Sequence, residues 1–378
     1  MMQRKILIVT PGFFPLFGGM EQECYLLAKE YLRNGVSVDI LTEQTEKSFL
    51  KQENIEGINV YRIKHVDNRG LFGYLTIAIE LIIFLLKNSH KYDFCVIRTL
   101  TFHGLVIGWL KVIGIIKIPT IITAETGGEH DDVIAIKTRL FCGTIVSIFN
   151  RHDYLNSICL ENYLHYVELG FDKDKLTRIY NGVDVVEYGM AKYPDKVNSF
   201  SFIGRLRKTK GICELLSAFK MLNREYPKTR LNIGGDGEEK KWLVEYISNN
   251  GLEKSVNYWG YISNSDKEKF IMSSECQVLP SYSEGFPTTV LEATVYKRFN
   301  ICTDVSDLRE LYGDNIQFVK MRDVEDLYDK MKRLVVNSDK YKPNYDGVID
   351  VIDIRLVAIR IWRLFVPVDL ARVLNQSV

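Results

Sequence analysis

Glu284 and Glu292 are separated by seven residues, and the stretch between them includes Gly285-Phe286-Pro287-Thr288-Thr289. Pro287 suits the first turn of a helix, where its missing N–H costs nothing. Glu284 then belongs to the loop at a strand end, and Glu292 lies inside the helix. Carboxylates accept pairs of O–H donors well, so they suit polyols: one can hold the hydroxyls of a sugar, the other those of a ribose. The bland alternative for such a pair is a capping carboxylate and a solvated helix residue.

Two cations stand at a fixed interval upstream. Gly204-Arg205-Leu206 ends a strand pattern, and Lys210-Gly211 opens a helical one. On one loop, Arg205 offers a planar fork and Lys210 a point charge, a pairing that grips a diphosphate. Arg207 and Lys208 lie between them, so a solvated basic loop is the competing reading. Near the N-terminus, Gly18-Gly19 precede a helical pattern. Glycines at a helix start let backbone amides approach an anion, which the positive end of the helix favours. The loop is not GxGxxG and no acidic ribose partner follows it, which disfavours a dinucleotide oxidoreductase.

The elements that must position these residues alternate regularly. Strand patterns fall at Lys5–Thr10, Val36–Leu41, Asn59–Ile63, Phe94–Arg98, Thr120–Thr123, Tyr154–Ser157 and Leu176–Tyr180, with helical stretches between, such as Met20–Asn34. Unbroken apolar strands alternating with helices mean a parallel sheet covered on both faces. The pattern breaks after Asn181-Gly182-Val183-Asp184, and the polar stretch Tyr188–Ser199 reads as a linker. Alternation then resumes with strands at Ser201–Gly204, Arg230–Gly234, Val256–Trp259, Cys276–Leu279, Asn300–Thr303 and Gln317–Val319. Asp350–Leu364 reads as one last helix. The expected organisation is a Rossmann-like acceptor-side domain over 1–185, a Rossmann-like nucleotide-sugar domain over 186–350, and a helix and tail over 351–378 that crosses back to the first domain.

Composition narrows the class. With 378 residues and 46% hydrophobic content the chain can build two cores and is not disordered. A formal net charge of +1 supplies no global field for nucleic acid. Seven cysteines without a CxxC pair fit free thiols in a reducing compartment. The N-terminal apolar run is too short for a secretory leader. The runs Leu71–Leu86 and Gly104–Ile116 are shorter than the roughly 20 residues of a membrane span. Each reads as a helix buried on most sides or as a helix lying on a membrane surface.

NGVD at 181–184, GRL-x3-KG at 204–211, GDG at 235–237 and SEGFPTTVLEA at 283–293 occur in this order. With GGME at 18–21, they resemble the family 4 glycosyltransferases, retaining enzymes of the GT-B fold. The resemblance spans nearly the whole chain and implies an α/β architecture of two doubly wound Rossmann-like domains facing a central crevice. It implies a nucleotide-diphosphate sugar as donor, with no cofactor and no metal. Carried over by position, Arg205 and Lys210 bind the donor diphosphate and Glu284 contacts the donor sugar. Phe286 and Thr288 lie beside it through their backbone. Glu292 binds the ribose, Gly18 and Gly19 approach the phosphates, and Tyr261-Ile262 hold the base.

Members of this family often carry a histidine where the strand Pro119–Thr123 ends. Here Ala124-Glu125-Thr126-Gly127-Gly128-Glu129-His130-Asp131-Asp132 follows instead. Glu125, Glu129, His130 and Asp132 are candidates for sugar or acceptor contacts, and His103 is another. The loop Asp304–Glu310 lacks the family's usual glycines. The expected activity is transfer of a hexose-type sugar to a saccharide or lipid-linked saccharide acceptor in surface polysaccharide assembly. Its expected place is the cytoplasm or the inner face of the cytoplasmic membrane, with peripheral membrane contact and no nucleic acid. A non-catalytic module binding a nucleotide-sugar or polysaccharide is the alternative.

Overall fold

The computed structural model describes residues 4–16, 18–65, 70–127 and 131–366. The chain divides into two compact units, one running to Gly182 and resuming at Ile354, the other spanning Val183–Asp353.

The first unit carries strands β1 (Lys5–Val9), β2 (Ser37–Gln44), β3 (Gln52–Ile55), β4 (Ile58–Lys64), β5 (Phe94–Arg98), β6 (Thr120–Thr123), β7 (Tyr154–Ser157) and β8 (Leu176–Arg178). They form one sheet in the order β3-β4-β2-β1-β5-β6-β7-β8. Every neighbouring pair is parallel except β3 with β4. Its helices are α1 (Gly19–Arg33), α2 (Leu71–Asn88), α3 (Phe102–Val112), α4 (Ile134–Lys137), α5 (Cys142–Phe149) and α6 (Leu160–Glu168).

Alternation along β1 divides the core in two. Ile6 and Ile8 pack with α1 residues such as Leu27 and Tyr31. Leu7 and Val9 pack with Ile77, Leu81 and Leu85 of α2 and Ile107 of α3. Successive strand residues point to opposite faces, so an all-apolar strand must be covered on both.

The second unit holds β9 (Ser199–Ile203), β10 (Arg230–Gly234), β11 (Val256–Gly260), β12 (Cys276–Leu279), β13 (Phe299–Thr303) and β14 (Gln317–Val319). Its helices are α7 (Ile212–Glu225), α8 (Lys240–Asn249), α9 (Asn264–Met272), α10 (Thr288–Val295), α11 (Leu308–Tyr312), α12 (Val324–Asn337) and α13 (Asp346–Ile352). The sheet is parallel, in the order β11-β10-β9-β12-β13-β14. Counted from β9, this is the 3-2-1-4-5-6 order of a doubly wound fold.

Four expectations change. The helix read over Asp350–Leu364 is two helices, because Asp353 is extended (φ −60°, ψ 119°) between α13 and α14 (Ile354–Phe365). On α14, Ile354, Val357, Ala358, Ile361 and Trp362 are buried at helical spacing. Tyr31 in α1 donates its hydroxyl to Ala358 O at 3.1 Å, and Trp362 meets Phe94 edge-on at 5.7 Å. α14 therefore belongs to the first unit; the tail beyond 366 lies outside the described residues. Second, the unit boundaries fall after Gly182 and Asp353, not after Val185 and Asp350. Val183 N–H donates to Ile352 O at 2.8 Å, which ties both crossings into the second unit.

Third, Tyr188–Ser199 is not a free linker. Tyr188 donates to Asp346 at 2.7 Å, and the Lys297 ammonium sits over the Tyr188 ring at 4.5 Å. Fourth, β3 is an edge strand that the sequence pattern concealed. It alternates between exposed and half-buried residues and turns back through Glu56 and Gly57, both at positive φ.

Candidate active site

The strand order of the second unit reverses between β9 and β12, and doubly wound sheets bind ligands at that switch point, outside the carboxyl ends of the strands. The loops after these strands are Gly204–Gly211 and Pro280–Pro287. They are packed backbone on backbone. Tyr282 N–H donates to Thr209 O at 2.8 Å. Gly211 has φ +68°, and a Cβ there would lie 2.1 Å from Pro280 O. Gly235, at φ +134° after β10, would place a Cβ 1.9 Å from Gly204 O. No side chain fits either position, so glycine is what lets three strand ends converge.

On this frame two of the predicted side chains meet. Lys210 Nζ donates to Glu284 Oε1 at 2.7 Å, with the two side chains 26% and 12% exposed. Arg205 is exposed and makes no ion pair among the described residues. Arg207, by contrast, pairs with Glu238 at 3.3 Å. Phe286 is buried and anchors the loop, and Thr288 opens α10. Ser306 takes φ +55° where the family's glycines are missing. Its hydroxyl reaches the carbonyls of Glu284 at 2.8 Å and Gly285 at 2.6 Å, so this loop fixes the backbone beneath Glu284.

Glu292 lies one helix turn inside α10. Its Oε1 accepts from Lys267 Nζ at 2.8 Å. Its Oε2 is buried and has no hydrogen-bond partner among the described residues. A buried carboxylate oxygen left this way is costly unless a ligand hydroxyl completes it. Ile262 packs over the end of β10, its Cγ1 2.6 Å from where a Gly234 Cβ would be, beside an exposed Tyr261. Lys267 carries no functional signal in the sequence. It stands in the polar run Asn264–Met272, and no spacing links it to Glu292.

The first unit places its candidates differently. Gly18 caps α1 in extended conformation, and a Cβ on it would lie 2.4 Å from Glu21 Oε2. The Glu21 carboxylate thus lies over the glycine loop, and burial raises its pKa. A Cβ on Gly12 would meet the same carboxylate, 2.8 Å from Oε1. The sequence motif GGME contained this glutamate, but nothing in it showed the fold-back.

Glu125 follows β6, and its side chain is 6% exposed. Arg98, the last residue of β5, bridges it to Glu23 of α1 and reaches Asn181 Oδ1 at 3.3 Å. Burial pushes the Glu125 carboxyl up to about 8, the Glu23 charge adding to the rise and Arg98 opposing it. Asp132 accepts from Glu125 N–H at 2.8 Å and from the Thr126 hydroxyl at 2.6 Å. Asp131 accepts from Asn162 Nδ2 at 2.6 Å and lies 2.9 Å from His165 Nδ1. Glu125 and Asp132 therefore shape one loop. His103 is not part of it: buried on α3, its Nε2 is 3.2 Å from Glu43, which also contacts His65. Glu129 and His130 lie outside the described residues. No group of three or more potential metal ligands occurs among the described residues.

A fold of two doubly wound sheets, parallel but for the edge strand β3, is that of the GT-B class. Residues 191–344 match the model of the glycosyl transferases group 1, and residues 17–187 match that of glycosyltransferase family 4. The chain belongs to the group 1, family 4 glycosyltransferases. It is 26% identical over 334 residues to an uncharacterized glycosyltransferase of Methanocaldococcus jannaschii, covering 81% of this chain and 82% of that protein. It is 36% identical over 112 residues to a Bacillus subtilis glycosyltransferase named for teichuronic acid biosynthesis, covering 30% and 26% respectively. Among solved structures it superposes on Anabaena HepE in complex with UDP and glucose at a TM-score of 0.73 and 16% identity, covering 95% of this chain and 98% of that one.

Proposed function

We propose that the protein transfers a hexose-type sugar from a nucleotide-diphosphate sugar, with retention, to a saccharide or lipid-linked saccharide in surface polysaccharide assembly on the cytoplasmic side of the membrane. The observation that carries this reading is the switch point of the second unit. There an exposed Arg205, a Lys210–Glu284 pair at 2.7 Å and a Glu292 with a free buried oxygen share one edge. The teichuronic acid relative and the UDP- and glucose-bound neighbour are consistent with it.

The chemistry follows from where charge develops. As the bond from sugar to phosphate breaks, the anomeric carbon becomes cationic and the diphosphate gains negative charge. Arg205 and Lys210 act on that diphosphate, and preorganised charge at the leaving group is the large term in such reactions. Before the donor binds, Glu284 neutralises Lys210. With the donor in place, Lys210 shares its protons with phosphate, and Glu284 turns to sugar hydroxyls. Glu292 Oε2 accepts from the ribose. Retention follows if the leaving phosphate oxygen takes the acceptor proton on the same face of the sugar. An isolated covalent glycosyl–enzyme adduct, or a product of inverted anomeric configuration, would overturn that step.

The test is a thermal-shift panel of UDP, GDP, ADP and their sugars on the wild type and on Arg205→Ala. A ligand at about 100 times its Kd adds roughly 2.7 kcal/mol, enough to move the midpoint by several degrees. One base class should stabilise the wild type and leave Arg205→Ala unmoved. No shift with any nucleotide would overturn the donor site and favour a non-catalytic polysaccharide-binding module.

A further inference from the structure

The helix α2 is apolar all round, yet only one side of it is covered. Ile77, Leu81 and Leu85 are fully buried against the sheet. Leu75, Ile79, Ile83 and Leu86 lie on the opposite stripe and are 48%, 55%, 45% and 54% exposed. A surface helix ordinarily turns polar residues outward; one apolar on every side is expected in a core or in lipid. The sequence expectation of a helix buried on most sides is therefore corrected. Counted with the turn after it, the stretch Phe72–Lys91 is 20 residues long and only 22% buried, long and apolar enough by composition to cross a membrane.

The bare surface continues onto α3. The Tyr74 ring meets Phe102 at 4.9 Å, and Trp109, Val112 and Ile113 are 46%, 46% and 44% exposed. Between α2, α3 and α5 lies a groove of about 300 Å³. It is lined by Ala78, Ile82, Leu105, Val106, Trp109 and Ile148, all apolar apart from the Trp109 ring N–H. Nearby, Leu140 and Phe141 project at 80% and 73% exposure.

Apart from the Lys111–Asp153 pair at the end of α3, the exposed charges on and beside the two helices are mostly basic. α2 holds a single acid, Glu80, whose carboxylate accepts from Lys64 N–H at 2.5 Å, and α3 holds none. Exposed Lys87, Lys91 and Lys117 flank the two helices, and exposed Arg139 adjoins Leu140. An apolar patch of this extent marks an interaction surface. Apolar side chains flanked by basic ones fit the acyl boundary and headgroups of an anionic bilayer.

We infer that the exposed face of α2 and α3 docks on an anionic lipid bilayer, with the groove between α2, α3 and α5 seating one hydrocarbon chain. The helix docks without spanning, since spanning would draw Ile77, Leu81 and Leu85 out of the core. This deepens the transfer reading by giving a lipid-linked acceptor a place to enter. The docking itself is measured without any sugar nucleotide, so either can fail while the other stands.

The experiment is flotation of the purified full chain with vesicles of phosphatidylcholine, with or without phosphatidylglycerol. Wild type should float with the anionic vesicles about tenfold more than with the neutral ones, and less at high salt. L75E/I79E/I83E should lose flotation, and K87E/K91E should lose the anionic preference, while both keep the wild-type melting midpoint. With lipids brominated along the acyl chain, tryptophan quenching should be largely removed by Trp109→Phe. Wild type that fails to float with anionic vesicles overturns the proposal, as do glutamate variants that float like wild type. A dimer by light scattering that L75E/I79E/I83E converts to monomer, without vesicle binding, assigns the face to a second copy instead. Undiminished quenching in Trp109→Phe removes the groove from the proposal.

Discussion

The charge cluster after β5 and β6 of the first unit and the one after β9 and β12 of the second use the same partners, a basic side chain against glutamates. They differ in what is left over. Arg98 is 2% exposed and is engaged by Glu23, Glu125 and Asn181. In the second unit, Lys210 is a quarter exposed, Arg205 makes no ion pair among the described residues, and Glu292 keeps a buried oxygen without a partner. A buried cluster whose charges pair with one another holds the backbone around it. A cluster with spare donors and acceptors at a switch point is ready for a ligand. Residue type is shared; exposure and a place at the switch point separate the two clusters.

Substitutions can break this contrast, and the largest effect is expected in the first unit. Arg98→Met leaves Glu23 and Glu125 buried without their cation, and losing one partner of such a pair typically costs about 3–5 kcal/mol. Urea unfolding should show that loss, and a variant as stable as wild type would mean the cluster is not structural. Lys210→Ala should leave the fold intact and lower transfer by about 10²–10³ fold, mostly in kcat, since its charge acts on the leaving group. A stability loss matching the activity loss would place Lys210 with Arg98.

Glu292→Gln keeps an acceptor but gives up the charge, so donor KM should rise roughly tenfold with kcat little changed. An unchanged donor KM would show that the spare oxygen is not used. The smallest effect is in pH dependence. Glu125 titrates near 4.5 when exposed and near 8 in the fold. The folded state therefore holds its proton more tightly than the unfolded one. The resulting stabilisation is complete below about 4.5 and is lost as pH rises through about 8. Melting midpoints of the wild type should fall across that window more steeply than those of Glu125→Gln. Parallel profiles would mean that Glu23 or Asp132 carries the proton.

Much of this was legible beforehand. The strands Phe94–Arg98, Thr120–Thr123 and Cys276–Leu279 keep the bounds read from the sequence and are buried along their whole length, because a strand covered on both faces is rich in apolar residues. The Arg205, Lys210 and Glu284 loops were legible because glycines and strand ends mark a switch point along the chain. β3 was not, since an edge strand half open to water carries polar residues such as Gln52 and Glu53. Ser306 at positive φ was not, because the usual marker of that conformation is glycine.

Residue order along the chain thus settled the doubly wound sheets and the glycine-framed loops. Each of these follows from local periodicity or from backbone conformation. Pairing between distant segments came only with the folded chain. Lys267 meets Glu292, Glu21 covers Gly18, Arg98 joins Glu23 to Glu125, and α14 packs with α1. Exposure came the same way: one stripe of α2 is core and the other is bare, although both are leucine and isoleucine. Periodicity fixes which residues share a face, and packing against other elements decides which face is covered.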